Sequence, residues 1–132
     1  MYQCLVLLDP DTQITTEQLA LELRRFYAGN SRAPLEIAVS AQNVILRWPE
    51  YTLKVATSSL PYVLEESSDL ADKCGATHPA QGRIARCHTR FEIVGDDDPD
   101  IDYFNDYLFV GETLRRLGVV YRFDQASTEF LE

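Results

Sequence analysis

The sequence predicts an α+β fold: a two-layer sandwich in which a largely antiparallel sheet of about six strands carries helices on one face. Three observations predict it. Several short segments alternate apolar and polar residues at the period of a strand, and short links between them make neighbouring strands antiparallel. Three longer segments repeat apolar residues at helical spacing. With 132 residues, 45% hydrophobic and 25% charged, the chain is expected to form a single domain over residues 1–132 around one core.

The first half of the chain predicts one strand, one helix and an antiparallel meander. Residues 2–8 are almost continuously apolar, which is typical of a strand in the centre of a sheet. Thr15 and Gln18 have the spacing of a capping box, and the apolar face that follows predicts a helix ending before Gly29. Three alternating segments then predict the meander: residues 35–41, 43–48 and 51–57.

The second half predicts two helices and two strands. Pro61 in a first turn and Gly75 beyond a last turn delimit the first of these helices. Residues 83–94 predict a long strand with one apolar and one polar face, because residues 85–93 alternate strictly. Apolar residues at helical spacing then predict a helix that ends before Gly118, and residues 119–124 predict the closing strand.

The balance of charge and the cysteine content limit the partners and the compartment. The chain carries 21 acidic and 12 basic residues, a net charge of -9 at pH 7, which opposes binding to nucleic acids and to anionic membranes. A charged partner is therefore expected to be a basic protein. Cys4, Cys74 and Cys87 are an odd number at irregular spacing and suit a reducing compartment. Because residues 1–11 lack a basic flank and a long apolar run, we expect no signal peptide or membrane span, and a cytoplasmic location.

The most distinctive segment is VGDDDPDIDYFNDY, residues 94–107. Three of its aspartates have the DxDxD spacing that begins a calcium-binding loop, but the glycine and the glutamate that such a loop requires are absent, so no metal site is predicted. Acids around Pro99 suit the positive end of a helix, which accounts for part of the cluster. We expect the excess charge to steer a basic partner, with Tyr103 as an anchor. The predicted partner-binding acids are Asp96, Asp97, Asp98, Asp100, Asp102 and Asp106.

Two aspartate motifs follow predicted strands. Asp9 and Asp11 form a DxD motif, and Asp96 and Asp100 belong to a GDxxxD motif. These motifs resemble those of haloacid-dehalogenase-type phosphatases, in which a carboxylate nucleophile works beside magnesium. The resemblance implies phosphoryl transfer, with the first pair as nucleophile and acid/base and the second pair as magnesium ligands. That family has a parallel sheet, whereas the meander predicted here is antiparallel, and the resemblance covers only these two short motifs.

A further alternative is an anion site on the polar face of the strand predicted over residues 83–94. Arg86, His88 and Arg90 would share that face, and such a row of cationic or protonatable groups suits an anion or an acidic segment of a partner. Acids on neighbouring strands could instead pair with them across the sheet. Zinc is not predicted, because Cys87 and His88 would point to opposite faces of that strand.

The sequence therefore favours a non-enzymatic, cytoplasmic protein-interaction module, an inhibitor or immunity-type protein that binds a basic partner. No cofactor is expected. The alternative is a small enzyme or anion-binding domain, with magnesium-dependent phosphoryl chemistry at the two aspartate motifs or an anion at the arginine and histidine positions. The sequence contains no motif of a nucleotide-binding or metalloprotease site.

Overall fold

The computed structural model describes residues 1–131. Within that range the chain forms a seven-stranded antiparallel sheet and four helices. The strands are β1 (Tyr2–Leu8), β2 (Glu36–Val39), β3 (Asn43–Trp48), β4 (Tyr51–Ser58), β5 (Arg90–Gly95), β6 (Val120–Asp124) and β7 (Glu129–Phe130). The helices are α1 (Thr16–Tyr27), α2 (Pro61–Cys74), α3 (Gln81–Ile84) and α4 (Phe104–Leu117). The predicted α+β class and the largely antiparallel sheet are confirmed.

The sheet has the strand order β2-β3-β4-β5-β1-β6-β7, and every neighbouring pair is antiparallel. β1 is close to the centre because its side chains are apolar on both faces, and only a strand with neighbours on both edges and helices on both faces can bury them all. From Cys4 to Leu8 every residue of β1 is buried. The predicted meander is also confirmed, since β2, β3 and β4 follow one another as antiparallel neighbours.

The first helix begins where the sequence predicts it. The Thr15 hydroxyl accepts a hydrogen bond from the Gln18 backbone amide at 3.1 Å, and the Gln18 side chain accepts one from the Thr15 backbone amide at 2.8 Å. This reciprocal capping box satisfies amides that the start of a helix leaves without partners. The chain leaves the helix through Gly29 at φ 71°, a left-handed conformation that glycine adopts without a Cβ clash.

Two apolar clusters lie on opposite faces of β1. The larger one joins the sheet to α1 and α4 and includes Val6, Leu23 and Leu114. The smaller one joins Leu5 to α2, to α3 and to Phe123 of β6. Because Leu5 and Val6 are consecutive in a strand, they point to opposite faces. The predicted sandwich of sheet and helices is therefore formed, but helices lie on both faces of the sheet, since α2 and α3 cover the second face at β1 and β6.

The strand predicted over residues 83–94 is wrong in its first half. The chain forms the short helix α3, a loop follows, and β5 begins only at Arg90. Ile84 and Cys87 are both fully buried in the smaller cluster. Residues three apart lie on the same side of a helical turn but on opposite sides of a strand, so the helical turn is what buries both. The alternation of the residues before Arg90 is incidental.

The seventh strand, β7, is absent from the sequence prediction. It has only two residues, and the ring of Phe130 packs 5.2 Å from that of Phe123. The Leu131 backbone amide donates to the Arg122 carbonyl at 2.8 Å just beyond it. A strand of this length shows no alternation, so a periodic pattern could not reveal it.

Candidate functional site

The acidic loop, residues 96–103, connects β5 to α4 at one end of the sheet. The Asp96 backbone amide donates to the Thr52 carbonyl at 3.1 Å, and the Thr52 amide donates to the Asp96 carboxylate at the same distance. The N-terminal amine of the chain lies 3.3 Å from the Asp97 carboxylate. These contacts attach the loop to β4 and to the start of β1. Glu50, in the turn between β3 and β4, is exposed at the same end of the sheet and was not predicted to contribute to this surface.

Asp98 holds the acidic loop in shape from within. Its carboxylate accepts hydrogen bonds from the backbone amides of Asp102 and Tyr103, each at 2.9 Å, and from the Tyr2 hydroxyl at 2.5 Å. Burial disfavours the ionised carboxyl, but the hydroxyl and the two amides outweigh it and lower the pKa of Asp98. Burial and this carboxylate raise the pKa of Tyr2 to about 12. Asp98 is therefore ionised at neutral pH and supports the loop.

The helix after the loop starts later than the sequence predicts. α4 begins at Phe104, and its N-cap residue, Tyr103, makes no side-chain capping bond. The aspartates around Pro99 do not cap the helix, because Asp98 satisfies amides of the turn that precedes it. The remaining acids are thus available to solvent, and four of them are exposed: Asp96, Asp97, Asp100 and Asp102.

Ile101 lies at the tip of the acidic loop with its side chain in solvent. It is 69% exposed, between the exposed Asp100 and Asp102. Its backbone amide donates to the Asp98 carbonyl at 3.1 Å, which closes a turn, and its φ is 57°. This left-handed conformation is unfavourable for a β-branched residue. The loop therefore holds an apolar side chain outward at a cost in stability, and sequence analysis missed Ile101 because no pattern reveals the sign of φ.

Besides Asp98, two of the residues predicted to bind a partner have internal roles. The prediction that Asp106 belongs to the acidic surface is wrong. Asp106 is only 5% exposed and accepts hydrogen bonds from the Tyr27 hydroxyl at 2.5 Å and from Arg32 at 2.6 Å. It faces inward because it lies on the first turn of α4 on the side that packs against α1. Tyr103 is half-buried and stacks on Tyr51, with ring centroids 4.2 Å apart. It supports the acidic loop from beneath.

The aromatic platform under the acidic loop consists of Trp48, Tyr51 and Tyr103, whose rings contact one another. The Trp48 indole donates to the Arg32 carbonyl at 2.8 Å, which fixes its orientation. The Tyr51 hydroxyl is buried and has no hydrogen-bond partner in residues 1–131. Gly95 approaches this hydroxyl so closely that an added Cβ would overlap it. Only glycine leaves the space that the platform occupies here.

The two aspartate motifs of the phosphatase resemblance do not converge. β1 and β5 are antiparallel, and Tyr2 pairs with Gly95, so Asp9 and Asp96 lie at opposite ends of the sheet, roughly 25 Å apart along β1. The composite magnesium site that the resemblance implies is therefore not assembled. In the 131 described residues no group of three His, Cys, Asp or Glu side chains is arranged to hold a metal ion.

Asp9 belongs instead to a buried clamp. It is 5% exposed, and its carboxylate accepts two hydrogen bonds from Arg83 at 2.6 and 2.7 Å and one from the Tyr121 hydroxyl at 2.7 Å. The Arg83 guanidinium is the main cause that lowers the pKa of Asp9; burial opposes the shift, and the Tyr121 hydroxyl and the Asp11 amide add to it. With both oxygens engaged, this carboxylate is not free to act as a nucleophile.

The predicted anion face is not formed. Arg86 and His88 are exposed in the loop before β5, whereas Arg90 is the first residue of the strand and only 4% exposed. The Arg90 guanidinium binds Glu66 at 2.8 Å and Glu92 at 3.0 Å. The three groups share no strand face because the chain is helical at α3 and irregular after it. Acids do pair with Arg90, but they come from α2 and from β5 itself and not from a neighbouring strand.

Comparisons of this chain with models of known protein families, with curated proteins and with solved structures found no match. In the described part of the chain, no helix has the length and apolar character needed to cross a membrane.

Proposed function

We propose that this chain is a protein-interaction module that binds a basic protein partner through the acidic loop. The observation that carries the proposal is Ile101, an apolar side chain held in solvent at φ 57° between Asp100 and Asp102. Strained backbone conformations persist where the surrounding structure enforces them, and they concentrate at functional sites. The acidic composition favours an inhibitor or immunity-type role in the cytoplasm as the form of this function.

The charge of the acidic loop supports a basic partner. Asp96, Asp100 and Asp102 are exposed, and none of them forms an ion pair within residues 1–131. No basic side chain among the described residues balances their charge, which is part of the net charge of -9 of the protein. Such a surface accelerates encounter with a positive one, and salt weakens the effect because charges are screened beyond about 10 Å at 0.1 M ionic strength. The rate of association with the partner is therefore expected to fall with ionic strength.

Ile101 and Phe104 supply the apolar contact at this surface. Phe104 is exposed, and its ring lies 5.5 Å from that of Tyr2, which restricts its motion. Protein interfaces commonly have an apolar and aromatic centre with a polar rim. Ile101 lies between Asp100 and Asp102 in the chain, and Phe104 follows them at the start of α4. The complementary partner has an apolar pocket ringed by lysine or arginine.

The test compares capture of partners from source cells by three tagged forms of the protein, followed by affinity measurements with each purified partner. A loop variant that combines Asp100→Asn, Ile101→Ser and Asp102→Asn is expected to bind at least about tenfold more weakly, because a central interface residue often contributes more than about 1 kcal/mol. The control combines Asp69→Asn and Asp72→Asn, which removes the same charge from the exposed face of α2. It is expected to keep the affinity within about twofold.

Two results would contradict the proposal. One is a partner that all three forms bind equally well at both low and physiological salt. The other is a partner that depends on the loop but presents an acidic surface, since the exposed carboxylates would then repel it.

A further inference from the structure

A groove separates α1 from α4 on the face of the molecule that carries the larger apolar cluster. The two helices run in opposite directions, because Tyr27 near the end of α1 contacts Asp106 near the start of α4. Further along, Phe26 stacks on Phe109 with centroids 3.5 Å apart. The space beyond this stack, the α1–α4 groove, has a volume of about 590 Å³. Its lining residues are Glu22, Arg25, Phe26, Thr113, Arg116 and Leu117.

The α1–α4 groove combines guanidinium groups with apolar walls on an acidic protein. Arg25 is paired with Glu22 at 2.8 Å. Arg116 lies 5.3 Å from the centre of the Phe109 ring and donates to the Thr113 hydroxyl at 3.4 Å, and it forms no ion pair with any carboxylate of the described chain. A guanidinium in this setting is free to bind a carboxylate in two-point fashion. The groove therefore suits a ligand that places carboxylates beside an apolar side chain.

The acidic loop of the same sequence has this chemistry. Ile101 projects between Asp100 and Asp102. The loop cannot fill the groove of its own molecule, since Arg116 lies roughly 18 Å along α4 from the first residue of that helix and Asp98 holds the loop at the opposite end. The acidic loop and the α1–α4 groove are thus two separate surfaces on each molecule.

We propose that the α1–α4 groove binds the acidic loop of a second copy of this chain, so that the protein associates head to tail. Arg116, with Arg25 beside it, pairs with Asp100 and Asp102, while Ile101 contacts Phe26 and Leu117. Because the two surfaces differ, the contact is heterologous and builds a ring or a chain of copies. The inference rests on the proposed function in one respect, namely that the acidic loop is a docking element, and it implies that the second copy and the basic partner compete for that loop.

The test measures molar mass by sedimentation velocity over about a hundredfold range of protein concentration, at low and high salt. The wild-type mass is expected to rise with concentration at low salt and to return to that of the monomer at high salt. A groove variant, Arg25→Glu with Arg116→Glu, and a loop variant, Asp100→Lys with Asp102→Lys, are each expected to stay monomeric. An equal mixture of the two is expected to associate, because the intact loop of one variant fits the intact groove of the other and the reversed charges of the altered groove and loop also attract each other.

Matched controls separate the contact from net charge and from folding. Lys54→Glu with Lys73→Glu changes the charge as the groove variant does, on exposed residues away from the groove, and should associate like the wild type. Circular dichroism melting curves verify that each variant is folded. A wild-type protein that is monomeric at every concentration overturns the inference, and so does self-association that the groove variant retains.

Failure of the head-to-tail contact can be distinguished from failure of the proposed partner binding. If the groove variant remains monomeric but binds the basic partner as tightly as the wild type or more tightly, both ideas are supported. If the wild type is monomeric while the loop variant loses the partner, only the head-to-tail contact fails. If self-association depends on the groove while partner binding does not depend on the loop, only the proposed function fails.

Discussion

At the scale of single residues, the space between Gly95 and Tyr51 determines how the acidic loop leaves the sheet. Gly95→Ala is expected to lower the free energy of unfolding by about 1–3 kcal/mol, since the added methyl group overlaps the Tyr51 hydroxyl oxygen. Urea unfolding at neutral pH measures this change. Adding Tyr51→Phe should recover most of the loss, because it makes room and removes a buried hydroxyl without a hydrogen-bond partner in residues 1–131.

Gly82→Ala is the matched control for this pair, because an added Cβ at Gly82 meets no atom within 4 Å. It lies in the short helix α3 and should be neutral or slightly stabilising. If Gly95→Ala unfolds at the wild-type urea concentration, the close approach to Tyr51 does not constrain the chain.

The Ile101 side chain is expected to lower the stability of the fold and to strengthen binding to the partner. Ile101→Gly should raise the free energy of unfolding by about 1 kcal/mol, because glycine adopts a positive φ without the strain of a β-branched side chain. The same change should weaken binding to the basic partner, since it deletes the apolar contact. Thr128 has the same φ of 57° and lies outside the loop. Thr128→Gly should therefore give a similar gain in stability with no change in binding, and a loss of binding in both variants would refute a specific role for Ile101.

At the scale of elements, the clamp around Asp9 attaches the end of β1 to α3 and β6 through Arg83 and Tyr121. The folded-state pKa of Asp9 lies below its unfolded value, so ionised Asp9 stabilises the fold above about pH 4. This stabilisation is lost as the pH falls toward the folded-state pKa. Asp9→Asn is expected to lower the urea midpoint at neutral pH and to flatten its decline between about pH 5 and pH 2.

Asp11→Asn provides the control for the clamp, because the Asp11 side chain is 85% exposed and shares the same arginine. Solvent screens that pair, so the variant should unfold close to the wild type. A pH profile of Asp9→Asn parallel to the wild-type profile would mean that the clamp does not contribute to acid sensitivity.

Most elements could be predicted from the sequence because their signals are local. The capping box of Thr15 and Gln18 identifies the start of α1, and the alternation from Tyr51 onward identifies β4. α3 could not be predicted, since its four residues are too few to show helical periodicity and the following residues alternate. β7 could not be predicted for the same reason, since it has only two residues. Strand order depends on contacts between residues far apart in the sequence, which no local pattern encodes.

At the scale of the whole molecule, the sequence predicts the acidic character of the candidate site but not which of its side chains face solvent. The aspartates of residues 96–102 identify an acidic surface, and four of them are exposed as expected. The sequence does not reveal that Asp106 turns inward to Tyr27, because this depends on how α4 meets α1. The opposite charge at the two ends of α4 is legible in the sequence, with the acidic loop before the helix and Arg116 near its end, but the groove that α1 forms beside Arg116 is not. That separation is what allows a molecule of this net charge to have a cationic groove.

The near-central position of β1 also constrains the order of folding. β1 pairs with β5 and β6, which lie far from it in the sequence, so Cys4 lies opposite both Ile93 and Asp124. During synthesis β1 therefore emerges before the two strands that pair with it. Pairing across such sequence separations is slow, since the intervening chain must be ordered first. The pairing of β1 with β5 and β6 is thus expected to be a late and slow step of folding.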